Sequence, residues 1–298
     1  MAQEPPEPVT FRTGATLVRV DAQVLERGRP VNGLTARDFV LKDNGEPQTL
    51  AAFGQESEPL QVLFVLDVSG SMGRVLKEMA GVAQSALAAL GPADEVGVML
   101  YARRSRIAQE LSPDRRAALH ALQEAALAEG LGAGTAMNEA LLAAAEYLKS
   151  LPPFPGRRAL IVLTDNGGLN EKAPDELVLR ELAGVNAVVN AIVTRDAKPP
   201  APLRPGVETN PEFTYNDVFL LARESGGEVL RADKPERLRE LLEHIRLRYT
   251  LGYRPPDAAP GEWRRVEVDL TAEPRRRYRR AEIRARPGYV AQGPPGSR

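Results

Sequence analysis

Residues 63–74 read LFVLDVSGSMGR, an apolar run that stops in one carboxylate and two hydroxyls spaced Asp67-x-Ser69-x-Ser71, with glycines between and after them. A continuous apolar run of this length, closed by glycines, is the signature of a strand covered on both faces. Oxygen side chains on alternate residues at its end fit two readings: a capped turn, or a site for a hard cation.

The surrounding chain fixes the setting of that strand. From about 60 to 247, apolar runs alternate with amphipathic stretches. Strands are expected at 61–67, 95–102, 105–111, 158–165, 186–194 and 227–232, and helices at about 74–90, 114–127, 136–150, 175–183, 215–225 and 235–247. Strands separated by helices imply right-handed crossovers and a doubly wound, Rossmann-like, mostly parallel sheet. SRIAQEL (105–111) follows its predecessor by only a few residues, which is hairpin spacing. It is therefore expected as an antiparallel edge strand.

The two ends of the chain have a different texture. Between Thr16 and Phe53, TLVRVDAQVLE alternates apolar and polar residues, GLTARDF reads as a short capped turn, and FVLKDNGEPQTLAAF reads as a hairpin around Asp43-Asn44-Gly45. After residue 248, RYTLGYRP, WRRVEVDLT and RRAEIRARPGYV return to strand patterns. Neither end has enough strands to bury a core alone. Together they are expected to form one β-sandwich, with 1–58 and 248–298 as its two halves and 59–247 inserted between them.

Composition narrows the function classes. The 298 residues carry 39 Lys and Arg against 40 Asp and Glu, which argues against nucleic acid held by bulk charge. With no cysteine, thiolate zinc sites, disulfide scaffolds and Cys nucleophiles are excluded. His120 and His244 are the two histidines, so a metal would be held mostly by oxygen. No apolar run reaches about 18 residues, so no transmembrane helix is expected. The Pro/Glu-rich start MAQEPPEPVTF has no apolar signal core and suits a cytosolic start or a mature exported chain equally.

In a doubly wound sheet, ligands bind beyond the carboxyl ends of the strands where strand order reverses. Asp67 and Asp165 close two such strands, and Thr135 stands before a helix in the Gly-rich stretch GLGAGTAMNEALLAAA. Asp67, Ser69, Ser71, Thr135 and Asp165 are thus expected to converge from three loops. Mg²⁺ takes about six oxygen ligands and usually retains waters; hydroxyls give neutral oxygens and carboxylates give charge. Mn²⁺ and Ca²⁺ are the alternatives. A helix starting near Gly73 would slightly disfavour the cation and favour an anion arriving over it. Taken singly, Ser69, Ser71 and Thr135 read as helix caps, and Asp165-Asn166-Gly167 as a turn. Convergence from three loops is what favours the metal reading.

DVSGSM, then GTAMNEAL, then LTDNG, in that order, resemble the metal-ion-dependent adhesion site of von Willebrand factor type A domains over about residues 60–247. The resemblance implies that Ser69, Ser71 and Thr135 contact the metal, that Asp67 and Asp165 do so directly or through water, and that a partner's acidic residue completes the shell. TDNGG departs from the commoner TDG, which bears on the local turn. The flanks resemble acidobacterial-type proteins related to this family, whose members carry signal peptides; that implies an exported protein.

Other features are weaker. The Pro-rich stretch 194–217 is long enough to be a recognition loop or a surface loop. Between 262 and 286, nine Arg oppose five acids, a net of +4, which fits a solvated strand face. Trp263 and Tyr253 are expected in the sandwich core or at its rim. No P-loop or G-x-S-x-G elbow occurs, and the histidines sit in helical patterns. The sequence therefore points to a non-enzymatic, cation-dependent protein-binding module that captures a partner's acidic residue. The alternatives are a scaffold with a structural metal and a Mg²⁺-dependent phosphate-handling enzyme.

Overall fold

The computed structural model describes residues 17–55, 58–171, 173–201 and 213–291. Thr16 and positions 202–212 of the long loop lie outside them. The chain forms two compact units, one from residues up to Glu58 together with those from Arg246 onward, the other Pro59–Ile245.

The first unit begins with β1 (Val18–Glu26) and β2 (Arg29–Pro30). A 3₁₀ turn at Ala36–Asp38 follows, where the Asp38 carboxylate accepts from the Thr35 N–H and hydroxyl. Then come β3 (Phe39–Asp43), β4 (Glu46–Gln48) and β5 (Leu50–Gly54). Asn44 and Gly45 turn the β3–β4 hairpin with φ of 48° and 85°, the left-handed pair that a two-residue hairpin loop requires.

The second unit runs β6 (Leu60–Asp67), α1 (Gly73–Leu87), β7 (Glu95–Tyr101), β8 (Ser105–Ser112), α2 (Arg115–Glu124), α3 (Met137–Ser150) and β9 (Arg157–Thr164). It continues through β10 (Leu169–Glu171), α4 (Asp175–Gly184), β11 (Ala187–Val193), β12 (Phe213–Tyr215), α5 (Val218–Ser225), β13 (Val229–Arg231) and α6 (Arg237–Arg246). The main sheet has the order β13-β11-β9-β6-β7-β8. Its strands are parallel except β8, which pairs antiparallel with β7 at the edge. All eight residues of β6 are buried, because successive side chains feed opposite layers. Leu60, Val62, Phe64 and Leu66 pack with α1, α2 and α6, whereas Leu63 and Val65 pack with α3, α4 and α5. Each such buried aliphatic or aromatic side chain contributes about 1.5–3 kcal/mol.

Sequence periodicity misplaced some boundaries here. The helix expected over 114–127 breaks into α2 and a 3₁₀ turn at Ala125–Leu127. The strand expected over 227–232 is only Val229–Arg231; a Cβ on Gly227 would lie 1.8 Å from the Val189 carbonyl, so this approach admits only glycine. The two-stranded ribbon β10–β12 carried no expectation, and the helix placed at 215–225 starts at Val218, after β12.

The first unit then resumes with β14 (Tyr249–Tyr253), β15 (Trp263–Leu270), α7 (Ala272–Arg277), β16 (Ala281–Arg284) and β17 (Gly288–Val290). Its strands make two sheets, β16-β1-β14-β5, with β2 on β1, and β17-β15-β3-β4. Val20, Ala22 and Val24 of one sheet and Phe39, Leu41 and Val266 of the other belong to one apolar cluster. Tyr253 lies in that cluster, but Trp263 does not: it is 52% exposed. Along β15 the even residues point inward, which turns Trp263 outward and brings Arg264 in.

Candidate functional site

In the second unit, β6 leads through α1 to β7 on one side, and β9 leads through α4 to β11 on the other. Strand order therefore reverses between β6 and β9, and the crevice lies beyond their carboxyl ends. Asp67 is the last residue of β6, and Asp165 follows β9 directly.

Four of the five expected residues form one hydrogen-bonded chain. The Ser69 N–H donates to Asp67 Oδ1 at 2.9 Å, the Ser69 and Ser71 hydroxyls lie 3.2 Å apart, and Ser71 Oγ donates to Asp165 Oδ2 at 2.6 Å. The fifth, Thr135, is brought to the same crevice by its backbone. Its carbonyl accepts from Asn216 Nδ2 at 3.2 Å, and an added Cβ on Gly168 would come within 2.5 Å of it. The next residue, Ala136, ties this loop to the end of β7 through its N–H on the Ala102 carbonyl at 2.8 Å.

The capping alternative does not describe these hydroxyls. The N-cap of α1 is Met72 and that of α3 is Ala136, and neither makes a side-chain capping bond. Ser69 and Ser71 thus stand free of α1, and Thr135 lies one residue too early to cap α3.

Asp67 is fully buried. Its second oxygen accepts from Thr164 Oγ1 at 2.9 Å, and Thr164 in turn accepts from the Asn166 N–H. Burial raises the Asp67 pKa above the ordinary aspartate value; the Ser69 and Thr164 hydrogen bonds oppose the rise, and the nearby Asp165 charge adds to it. Tyr101 sits beside them on β7, wholly buried. Burial first, and then the Asp67 charge, push its phenol well above its ordinary pKa, so it stays neutral.

Several polar residues that sequence reasoning missed hold the loops in place. Asn166 adopts a left-handed φ of 62°, donates to the Lys198 carbonyl and accepts from the Val218 N–H, joining the turn after β9 to the start of α5. Asn216, 1% exposed, bonds the Gly167 and Thr135 carbonyls together. The legible signal was Asn166 beside two glycines, a left-handed position in the sequence. Asn216 offered none.

The linked groups are two carboxylates and two hydroxyls, an all-oxygen set of the kind hard cations take, with the Thr135 backbone held against the turn after β9. Among the described residues no group of three His, Cys, Asp or Glu gathers, and no Lys or Arg pairs with Asp67 or Asp165. His120 is exposed on α2, and His244 is buried against Glu228 at 2.9 Å.

Residues 62–168 match the family model of the von Willebrand factor type A domain. No curated protein matches the chain. Similar solved structures include the conserved hypothetical protein BatB from Bacteroides thetaiotaomicron, 21% identical over 62% of this chain and 97% of its own, with a TM-score of 0.48. An aerotolerance-related membrane protein from Bacteroides fragilis NCTC 9343 is 20% identical over 62% of this chain and 98% of its own, with a TM-score of 0.47. A von Willebrand factor type A protein from Catenulispora acidiphila is 16% identical over 88% of this chain and 71% of its own, with a TM-score of 0.46.

Proposed function

We propose that the crevice beyond β6 and β9 holds a divalent cation, Mg²⁺ in the first place, on Asp67, Ser69, Ser71, Thr135 and Asp165, and that the protein binds an acidic residue of a partner there. The observation that carries this reading is the pair of carboxylates, one fully buried, joined through Ser69 and Ser71, whose hydroxyls cap no helix, and paired with no Lys or Arg among the described residues. An ionised carboxylate taken out of water without a partner is costly, and such a group is retained where a ligand supplies the missing charge. The match of residues 62–168 supports the same class, a protein-interaction module.

The chain's own residues divide the work. Thr164 and the Ser69 N–H each hold one Asp67 oxygen, which fixes the plane of the carboxylate. Ser71 and Asp165 orient each other across two loops. Asn216 keeps the Thr135 loop against the turn after β9. A divalent cation held by so few charges keeps an affinity for one more carboxylate, which is what it would supply for capture. The resemblance of the flanks supports an extracytoplasmic location.

The test is calorimetric titration of Mg²⁺ and Mn²⁺ into metal-stripped wild type and Asp67→Ala, with acetate as a stand-in carboxylate, alongside thermal unfolding. Saturable binding in wild type that vanishes in a folded variant is expected. A folded wild type that takes up no cation, even with acetate, overturns the proposal.

A further inference from the structure

We infer that the β10–β12 ribbon is the surface that reads a partner beside its captured acid, and that it selects a large apolar or aromatic side chain; this rests on the carboxylate-capture reading above. Five large apolar side chains are exposed among the described residues, and three of them, Leu169 at 45%, Phe213 at 39% and Tyr215 at 60%, lie on this ribbon.

The ribbon is amphipathic in the wrong sense for a structural element. Leu169 pairs with Tyr215 and Glu171 with Phe213, so these four share one face. Asn170 and Thr214 share the other. The inner face is the polar one: Asn170 is fully buried, accepts from the Asn138 N–H at 2.8 Å and reaches Thr214 at 3.4 Å. A ribbon kept only for stability would bury its Leu, Phe and Tyr and solvate its Asn. Buried polar and exposed apolar groups are the informative departures from ordinary burial.

Its position ties that face to the site. Leu169 follows Asp165 by four residues, at most about 14 Å of chain. Asn216, directly after Tyr215, bonds the carbonyls of Thr135 and Gly167. The charge pattern sets the occupant's chemistry. On the exposed face Glu171 is paired with Arg103 at 2.8 Å, and among the described residues neither Asp67 nor Asp165 pairs with a Lys or Arg. The matching partner is a protein segment with an acidic residue for the crevice and a bulky apolar residue within a few positions of it. Rigid aromatics are well suited to such contacts.

The test uses a displayed library of random peptides, each with a fixed aspartate, selected in Mg²⁺ on wild type and on the triple variant Leu169→Thr, Phe213→Thr, Tyr215→Thr. Threonine preserves strand propensity at exposed positions, and equal metal-free melting of the two proteins checks the fold. Wild type is expected to enrich large apolar residues near the aspartate, and the variant to bind those peptides about tenfold more weakly or worse while binding Mg²⁺ unchanged. No enrichment, or equal affinity for both proteins, overturns the ribbon's role and leaves capture standing. Enrichment that persists without Mg²⁺ and in Asp67→Ala supports the ribbon and overturns capture. Ribbon-dependent binding to phosphatidylcholine vesicles in place of peptide enrichment also overturns the inference, in favour of a lipid surface.

Discussion

The hydroxyl of Ser71 donates to Oδ2 of Asp165 at 2.6 Å, across 94 positions of sequence. One residue comes from the loop after β6, the other from the turn after β9, and the bond closes the crevice between neighbouring parallel strands. It also shows what the crevice lacks. A serine is the nearest donor that Asp165 finds, and no basic side chain compensates either acid among the described residues. An interior arranged for stability alone would pair or remove these carboxylates.

Asp165→Asn therefore separates binding from stability. The amide oxygen still accepts from the Gly167 N–H, which Asp165 holds at 2.8 Å, and the charge that adds to the rise of the Asp67 pKa is removed. The metal-free variant is expected to melt at or above wild type. Mg²⁺ at a hundred times its dissociation constant stabilises wild type by about 2.7 kcal/mol, and that gain is expected to disappear in the variant. Ser71→Ala, at an exposed position, costs about 1 kcal/mol or less without metal and weakens cation binding about tenfold or more. Thermal melts with and without Mg²⁺ check both variants; a metal-free collapse of Asp165→Asn would show the pair to be structural.

The raised pKa of Asp67 fixes the sign of a pH effect. Because burial outweighs the hydrogen bonds from Ser69 and Thr164, the folded protein holds this proton more tightly than the unfolded chain, whose value is near 3.8. Its contribution to stability is full below that pH and is lost as pH rises through the folded value. Metal-free Asp67→Asn is expected to exceed wild type in stability at neutral pH, with the gap narrowing as pH falls toward 3.8. Cation binding requires the ionised form, so affinity falls, and proton release grows, as pH drops through the folded value. Titrations in two buffers of different ionisation enthalpy measure that release; a variant less stable than wild type at neutral pH would mean that the hydrogen bonds dominate.

Gly168 and Gly70 provide a matched pair. Gly168 has φ of +113°, and a Cβ there would stand 2.5 Å from the Thr135 carbonyl and 2.7 Å from its Cβ. Gly168→Ala must displace the Thr135 loop or the start of the ribbon, at about 1–3 kcal/mol of backbone strain, and is expected to weaken Mg²⁺ binding as well. A Cβ on Gly70 meets nothing within 4 Å. Gly70→Ala is expected to leave binding intact and to stabilise the fold by up to about 1 kcal/mol. Urea unfolding and Mg²⁺ titration of the two variants check this; equal effects would refute the geometry.

What the sequence disclosed tracks the range of each signal. The buried run ending at Asp67, the hairpin turn at Asn44-Gly45 and the edge position of β8 are local patterns, and each was legible. The ribbon was not, because Leu169–Glu171 and Phe213–Tyr215 are too short for any period to register and meet across 44 positions, as Asn170 and Thr214 do. Trp263 was expected in the core or at its rim, and alternation along WRRVEVDL excludes the core: the inward face goes to Val266, Val268 and Leu270, and thus the outward face to Trp263. The five candidate site residues could be named from motif order, whereas Asn216 and Thr164, which hold them, act through contacts that no local pattern announces.

Arg264 turns inward on the same alternation, and its partner is a buried carboxylate shared by three donors. Asp43, with no exposed surface, accepts from Arg264 Nε at 2.7 Å, Tyr253 Oη at 2.8 Å and Tyr289 Oη at 2.9 Å. Asp43 ends β3, whereas its donors come from β14, β15 and β17, so a single carboxylate joins strands of both sheets. Burial first, then the adjacent carboxylate, push both phenols above their ordinary pKa, which keeps them protonated as donors. Asp43→Ala leaves two phenols without their acceptor and the Arg264 guanidinium with Glu262 alone, at 3.2 Å, so the loss is expected toward the lower end of the about 3–5 kcal/mol that breaking a buried pair costs. Tyr253→Phe removes one donor and leaves Asp43 with two, so about 1 kcal/mol is expected. Tyr253→Phe in the Asp43→Ala background should then cost less than in wild type, because the shared acceptor is already gone. Urea denaturation of the four proteins measures the cycle; additive losses would mean that Asp43 and Tyr253 contribute independently.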